Sequence, residues 1–206
     1  MTLKGRSQDK KTLAVFDFDG TISKCDTLPA IIRYIKGDLF FFKGMINFIP
    51  VFIRNKTGRL TNSQAKELLL SYFFKGMQQA EFQASCDSFS LLKLPLLLRK
   101  DALRQIKEHL YQNHRVIVIS ASCENWLKIW CKQIGIECIG TKLEIKDEVI
   151  TGKFDGKNCN GQEKVNRLNE IVDIATFKAV YAYGDSAGDR QLLGIATHPN
   201  YRIFKN

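Results

Sequence analysis

The chain has 206 residues, enough for one good hydrophobic core, or for one core with a small inserted domain. Its composition is ordinary for a globular protein, and it carries no internal repeats or low-complexity tracts, which excludes fibrous and repeat architectures. The formal net charge is +10, but Lys and Arg are scattered and form only pairs such as Lys10-Lys11 and Arg99-Lys100, so the charge reads as a solvated surface rather than a nucleic-acid face.

A basic surface also suits an anionic, phosphorylated substrate. Residues 1–11 are polar, lack the apolar core of a signal segment and read as a loose tail. Residues 13–18 form a short apolar run that reads as a strand buried on both faces. That run ends in Asp17 and Asp19, followed by Gly20-Thr21. Two carboxylates this close repel and raise each other's pKa. A divalent cation relieves the repulsion, and Mg²⁺ prefers oxygen ligands of this kind. Gly20 and Thr21 let the backbone turn so that its N–H groups face an anion. The plainer alternative is a strand-end turn with solvated aspartates.

From residue 26 to about 98 the periodicity is helical, with many aromatics and no strand alternation. Residues 39–53 are the most apolar part of the chain, but Lys43, Gly44, Asn47 and Pro50 interrupt them and they are too short to span a bilayer. They read as the core of a small helical domain; the alternative is an apolar surface that meets a lipid or a membrane interface. Residues 60–74 form a helix capped by Thr61 or Asn62, residues 81–89 another, and Pro95 breaks any helix leading out.

Beyond Arg99 the rhythm becomes α/β. Asp101 caps a helix through about residue 113, with Leu103, Ile106 and Leu110 on one face. Residues 116–119 are a buried strand ending in Ser120-Ala121-Ser122, and Ser122 caps a helix over 123–134 that Gly135 stops. A short strand over 136–139 and a hairpin over 143–151 follow. A helix over 163–172 carries Lys164 in its first turn. Residues 179–183 are a buried strand ending in Gly184-Asp185-Ser186-Ala187-Gly188-Asp189, residues 191–196 a helix, and residues 202–204 a last edge strand. Alternating strands and helices imply a parallel sheet with helices on both faces, which binds ligands beyond the carboxyl ends of its strands. Three strand ends carry polar chemistry there: Asp17 and Asp19, then Ser120, then Asp185 and Asp189. The six cysteines include no C-x-x-C pair, and no His lies at zinc-ligand spacing, so they read as reduced thiols of a cytoplasmic protein.

The D-x-D-G-T run, the hydroxyl after the second strand, the Lys at a helix start and G-D-x-x-x-D after a later strand together resemble the haloacid dehalogenase (HAD) superfamily. The resemblance is to its phosphatases, in the phosphoserine phosphatase-like branch, and includes Gly161-Gln162-Glu163-Lys164-Val165. It implies a Rossmann-like α/β core over 1–25 and 99–206 and an inserted helical cap of the C1 type over 26–98. It implies Asp17 as nucleophile and Asp19 as general acid and base. Ser120, Lys164 and the backbone of Gly20 and Ala121 would bind the phosphate. Mg²⁺ would be held by Asp17, Asp185 and the backbone carbonyl of Asp19, with Asp189 in support. A phosphoserine pocket needs an acid for the ammonium and an Arg for the carboxylate; Asp26 stands where an acid could serve, while Arg33 and Arg54 are candidates by presence only. The expected function is a Mg²⁺-dependent phosphomonoesterase acting on an unassigned small phosphomonoester. The apolar cap resembles the phosphatidylglycerophosphatase C type, so the alternative is the same chemistry on a lipid phosphate, with the cap in peripheral contact with a membrane. A non-catalytic phosphate-binding protein of the same fold is the reading from another class, and the presence of both Asp17 and Asp19 argues against it.

Overall fold

The computed structural model describes residues 11–205, so residues 1–10 of the expected 1–11 tail lie outside the described residues, while the Lys11 carbonyl accepts the Lys178 N–H at 3.0 Å. At its centre is β1 (Thr12–Phe16), every residue of which is buried. Five helices and a 3₁₀ turn separate it from the next α/β units: α1 (Thr27–Lys36), α2 (Asp38–Asn47), α3 (Ile49–Lys56), α4 (Asn62–Phe74), α5 (Gln79–Leu92) and the turn Leu94–Leu97. The α/β rhythm then runs α6 (Lys100–Tyr111), β2 (Arg115–Cys123), α7 (Lys128–Gln133), β3 (Glu137–Thr141), β4 (Leu143–Lys146), β5 (Val149–Phe154), α8 (Gln162–Ile171), β6 (Ala179–Gly184), α9 (Arg190–Gly194) and β7 (His198–Tyr201).

Five strands form one parallel sheet in the order β3-β2-β1-β6-β7. The chain builds outward from β1 to β3, then returns to the other side of β1. Such a reversal leaves a crevice at the carboxyl ends of the strands flanking it. Side chains alternate across β1. Leu13 and Val15 join Leu168, Val172 and Leu192 of the α8–α9 layer. Ala14 and Phe16 face the opposite core, which runs from Ala102 and Ile106 of α6 into the inserted helices.

Four local expectations are corrected. β2 continues to Cys123, so Ser122 is a strand residue and caps no helix; a 3₁₀ turn over Glu124–Trp126 precedes α7. Arg99, not Asp101, occupies the N-cap position of α6; Leu103, Ile106 and Leu110 pack against the core as expected, joined by buried Ala102 and His109. The last strand is β7, not residues 202–204. Its Pro199 is tolerated because the strand lies on a sheet edge, and the chain leaves it at Arg202, where φ is +52°. Residues 39–53 form a core only in part: Phe41, Gly44 and Phe48 are buried, while Leu39 and Ile46 are 71% and 66% exposed.

The two chain crossings into the inserted helices run side by side. Ser23 and Leu98 form an antiparallel bridge, the Lys24 N–H donates to the Leu97 carbonyl at 2.8 Å, and the Arg99 N–H donates to that of Ile22 at 2.8 Å. The β4–β5 hairpin closes through Asp147 and Glu148, both at positive φ as a type I′ turn requires. This hairpin lies against α4 rather than on the main sheet. The Gly76 N–H donates to the Ile150 carbonyl, the Ile150 N–H to that of Met77, and the Phe154 N–H to Glu67 Oε1, each at 2.9 Å. Gly152 passes so close to the backbone of Ser71 that a Cβ there would collide with it.

Candidate active site

The register of β1 aligns the strand ends. Phe16 lies opposite Val118 on one side and Tyr183 on the other, so Asp17, Ser120 and Asp185 emerge together at the carboxyl edge. The Asp17 N–H donates to the Tyr183 carbonyl at 2.9 Å, the last rung before the chain leaves the sheet. The chain then turns sharply through Phe18–Ile22, with Asp19 extended (φ −73°, ψ 122°) just before Gly20. Gly20 has φ +82°, and a Cβ there would fall inside contact distance of the Asp185 carboxylate. Both the left-handed backbone and the close approach require glycine.

Lys164 reaches this edge from the first turn of α8, which is tied to the Asp185–Asp189 loop by the Gly161 N–H donating to the Gly188 carbonyl at 3.0 Å. Its ammonium donates to Asp17 Oδ1 at 2.5 Å and to Asp189 Oδ1 at 2.6 Å, and it is 2% exposed. Burial by itself would lower the Lys164 pKa, but the two carboxylates reverse this and hold it above its usual value. Asp189 is fully buried, which would raise it, yet Lys164 and the donors of Ser186 hold it below the ordinary range. Asp17 has less compensation. Burial pushes it up to about 7, against Lys164 and with help from Asp189. Asp185, held by the Thr21 hydroxyl at 3.2 Å, is also raised, by burial and then by Asp189.

Carboxylate oxygens of Asp17, Asp185 and Asp189 lie within 4.8 Å of one another. Lys164 serves this group, yet Asp17 and Asp185 are held above their usual range, first by burial and then by the neighbouring Asp189 carboxylate. An all-oxygen donor set in that condition fits a hard divalent cation such as Mg²⁺.

Asp19 is held by groups the sequence did not reveal. Ser122 Oγ donates to Asp19 Oδ2 through a very short hydrogen bond, and the Thr27 N–H donates to Asp19 Oδ1 at 2.9 Å. Behind them Trp126 Nε1 donates to Thr27 Oγ1 at 3.1 Å, and Thr27 Oγ1 lies 3.2 Å from Ser122 Oγ. Indole can only donate and a carboxylate only accept, so the chain runs in one direction, Trp126 to Thr27 to Ser122 to Asp19. Burial and then Asp26 raise the Asp19 pKa; Ser122, Lys66 and Thr27 oppose them. Lys66 comes from α4, and its ammonium donates to the Ala121 carbonyl at 2.8 Å. It is a cation near the site that was not foreseen, as is Arg202, whose Nε donates to the Asp185 carbonyl at 2.6 Å.

Ser120 is buried, and its Oγ accepts the Ser122 N–H at 3.0 Å. Asp26 caps α1 by accepting the Leu28 N–H at 2.9 Å. Arg33 pairs with Asp38 on the surface, and Arg54 is exposed in the last turn of α3.

A profile of the haloacid dehalogenase-like hydrolases matches residues 14–194. The chain belongs to that family. Protein CicA of Caulobacter vibrioides is 30% identical over 205 residues, covering 98% of this chain and 91% of that protein. A protein of unknown function from Bordetella pertussis Tohama I superposes with a TM-score of 0.78 at 24% identity, over 91% of this chain and 88% of that one. A phosphoserine phosphatase solved as a phospho-aspartyl intermediate analogue gives a TM-score of 0.64 at 21% identity, over 92% and 84%. The fold is thus that of the phosphoserine phosphatase-like branch, and the chain is a HAD-like hydrolase.

Proposed function

We propose that this hydrolase is a Mg²⁺-dependent phosphomonoesterase that works through an aspartyl-phosphate on Asp17. The observation that carries the reading is the buried Asp17–Lys164–Asp189 group beside Asp185 at the sheet's carboxyl edge. Asp17, Asp185 and the backbone carbonyl of Asp19 would hold Mg²⁺. When bound, it offsets the repulsion between a carboxylate and a phosphate dianion.

Asp17 attacks phosphorus, and the alkoxide leaves with a proton from Asp19. Asp19 then takes a proton from the water that attacks the same phosphorus, releasing inorganic phosphate and restoring Asp17. A raised pKa suits Asp19 to hold that proton first, and the Ser122 and Thr27 donors fix where its carboxyl points. Lys164 neutralises charge on Asp17 and on the phosphoryl oxygens as the transition state forms. The Ser120 hydroxyl and the N–H groups of Gly20 and Ala121 bind the remaining phosphoryl oxygens, and Asp189 orients Lys164. Residues 26–98 act as a cap over a core made of 1–25 and 99–206. Asp17 is only 5% exposed, so substrate enters when the cap moves off the sheet edge.

Hydrolysis of p-nitrophenyl phosphate with and without Mg²⁺, by the wild type and Asp17→Asn, tests the reaction. Metal-dependent turnover lost in the variant is expected; undiminished turnover by Asp17→Asn overturns the nucleophile and the mechanism with it. A second reading keeps the chemistry and takes a lipid phosphate as substrate. The outward-facing apolar residues of α2 favour it, and a panel pairing soluble with lipid phosphates separates the two.

A further inference from the structure

Helices α2 and α3 are turned inside out relative to an ordinary surface helix. On α2, Leu39, Phe42 and Ile46 follow the i, i+3, i+7 spacing of a single face, and they are 71%, 56% and 66% exposed. On α3, Ile49, Phe52 and Ile53 repeat the pattern at i, i+3, i+4 and are 51%, 39% and 57% exposed. The buried residues of this stretch are others, Phe41 and Gly44 on α2 and Phe48 between the two helices, and α3 itself has no buried residue. Pro50 interrupts the backbone ladder between the helices, but the Phe52 N–H still donates to the Phe48 carbonyl at 3.0 Å, so α3 continues on from α2 with one break. The apolar spacing carries across that break from Ile46 to Ile49.

Water exposure of six large apolar side chains on adjoining helix faces is costly for a surface with no partner. The charges around it identify the partner. Lys43 completes the α2 face at i+4, and Lys56 completes the α3 face at i+7. Residues 33–59 contain six Lys and Arg and a single acid, Asp38, which is already paired with Arg33. A second copy of this chain would bring the same positive charges against themselves. An anionic lipid surface offers both what the apolar residues lack and what the lysines attract. No helix among the described residues is long and apolar enough to cross a bilayer, so the arrangement suits a helix pair lying in the interface plane.

We propose that the outward faces of α2 and α3 dock this protein onto the surface of an anionic bilayer. The docking needs no lipid substrate and does not depend on the reaction proposed above. Its test is flotation with vesicles of phosphatidylcholine alone, or with phosphatidylglycerol added, at low and high salt. The wild type floats with the anionic vesicles at low salt and less at high salt. Leu39→Gln/Phe42→Gln/Ile46→Gln lowers the bound fraction at least tenfold, and the charge reversal Lys43→Glu/Lys56→Glu does the same. Both variants keep wild-type hydrolysis of p-nitrophenyl phosphate, which reports an intact fold apart from the docking. A wild type that stays in solution with anionic vesicles overturns the proposal. So does a triple variant that floats like the wild type. A wild-type dimer that the triple variant converts to monomer overturns it too, by showing that a second copy covers the face.

Discussion

Replacing Lys164 with Met keeps the unbranched stem of the side chain and removes its ammonium from between Asp17 and Asp189. Losing one partner of a buried ion pair costs about 3–5 kcal/mol, because the charge left behind has no water to turn to. The structure places this case at the lower end. Asp189 keeps the N–H groups of Asp185 and Ser186 and the Ser186 hydroxyl on its Oδ2. Asp17, already pushed up to about 7, escapes by taking a proton. The expected loss is therefore about 3 kcal/mol at neutral pH, a large share of the 5–15 kcal/mol typical of a domain. Urea unfolding without metal reads it directly. Adding Asp189→Asn removes the stranded charge and recovers about 2 kcal/mol, while activity stays lost in both variants. A loss below about 1 kcal/mol for Lys164→Met, or a double variant no more stable than the single one, would refute the view that Lys164 is held there by Asp17 and Asp189.

Ser122→Ala removes a hydrogen bond to a charged group, worth about 1.5–3 kcal/mol. It should lower kcat at least about tenfold and lower Tm by several degrees, and an unchanged kcat would reduce Ser122 to a packing role. Gly20→Ala forces an L side chain to φ +82°, costing about 1–2 kcal/mol before Asp185 is displaced, and thermal melts with Mg²⁺ titration should show both lower stability and weaker metal binding. His109, buried against Tyr183 at 2.8 Å and His114 at 2.7 Å, is lowered from 6.5 to about 4 by burial and then by His114. The unfolded chain therefore binds the proton first as pH falls. Stability is full above about 6.5 and declines toward 4, by about 2 kcal/mol after solvent screening, and His109→Gln should flatten that slope in urea titrations.

The strand ends were legible because each breaks an apolar run with a carboxylate or hydroxyl, and a buried strand tolerates such residues only where a ligand or a turn compensates. Asp17, Ser120, Asp185 and Asp189 were readable for that reason and Lys164 from the motif around it at a helix start, and the structure brings them to one edge. Ser122 was not, because Ser before a helical pattern has the same signature whether it caps a helix or ends a strand; the extra length of β2 decides it. Lys66 lay in a helix 55 residues before the carbonyl it reaches, and no spacing rule links the two. Composition made residues 39–53 look like a core, since it records how apolar a helix is and not which way it faces. β7 was missed by a few positions because His-Pro-Asn-Tyr has no strand character of its own; pairing with β6 makes it a strand.

The hairpin bonded to α4 has a consequence for how the chain is made. Gly152 and Ser71, whose backbones all but touch, are separated by 81 residues, 152 minus 71. At roughly 5–20 residues per second, a ribosome delivers the hairpin roughly 4–16 s after α4. Throughout that interval α4 stands outside the ribosome without its β4–β5 cover. The inserted helices, though encoded early, are therefore completed late, and the window in which they are vulnerable to aggregation is set by translation speed across residues 72–152.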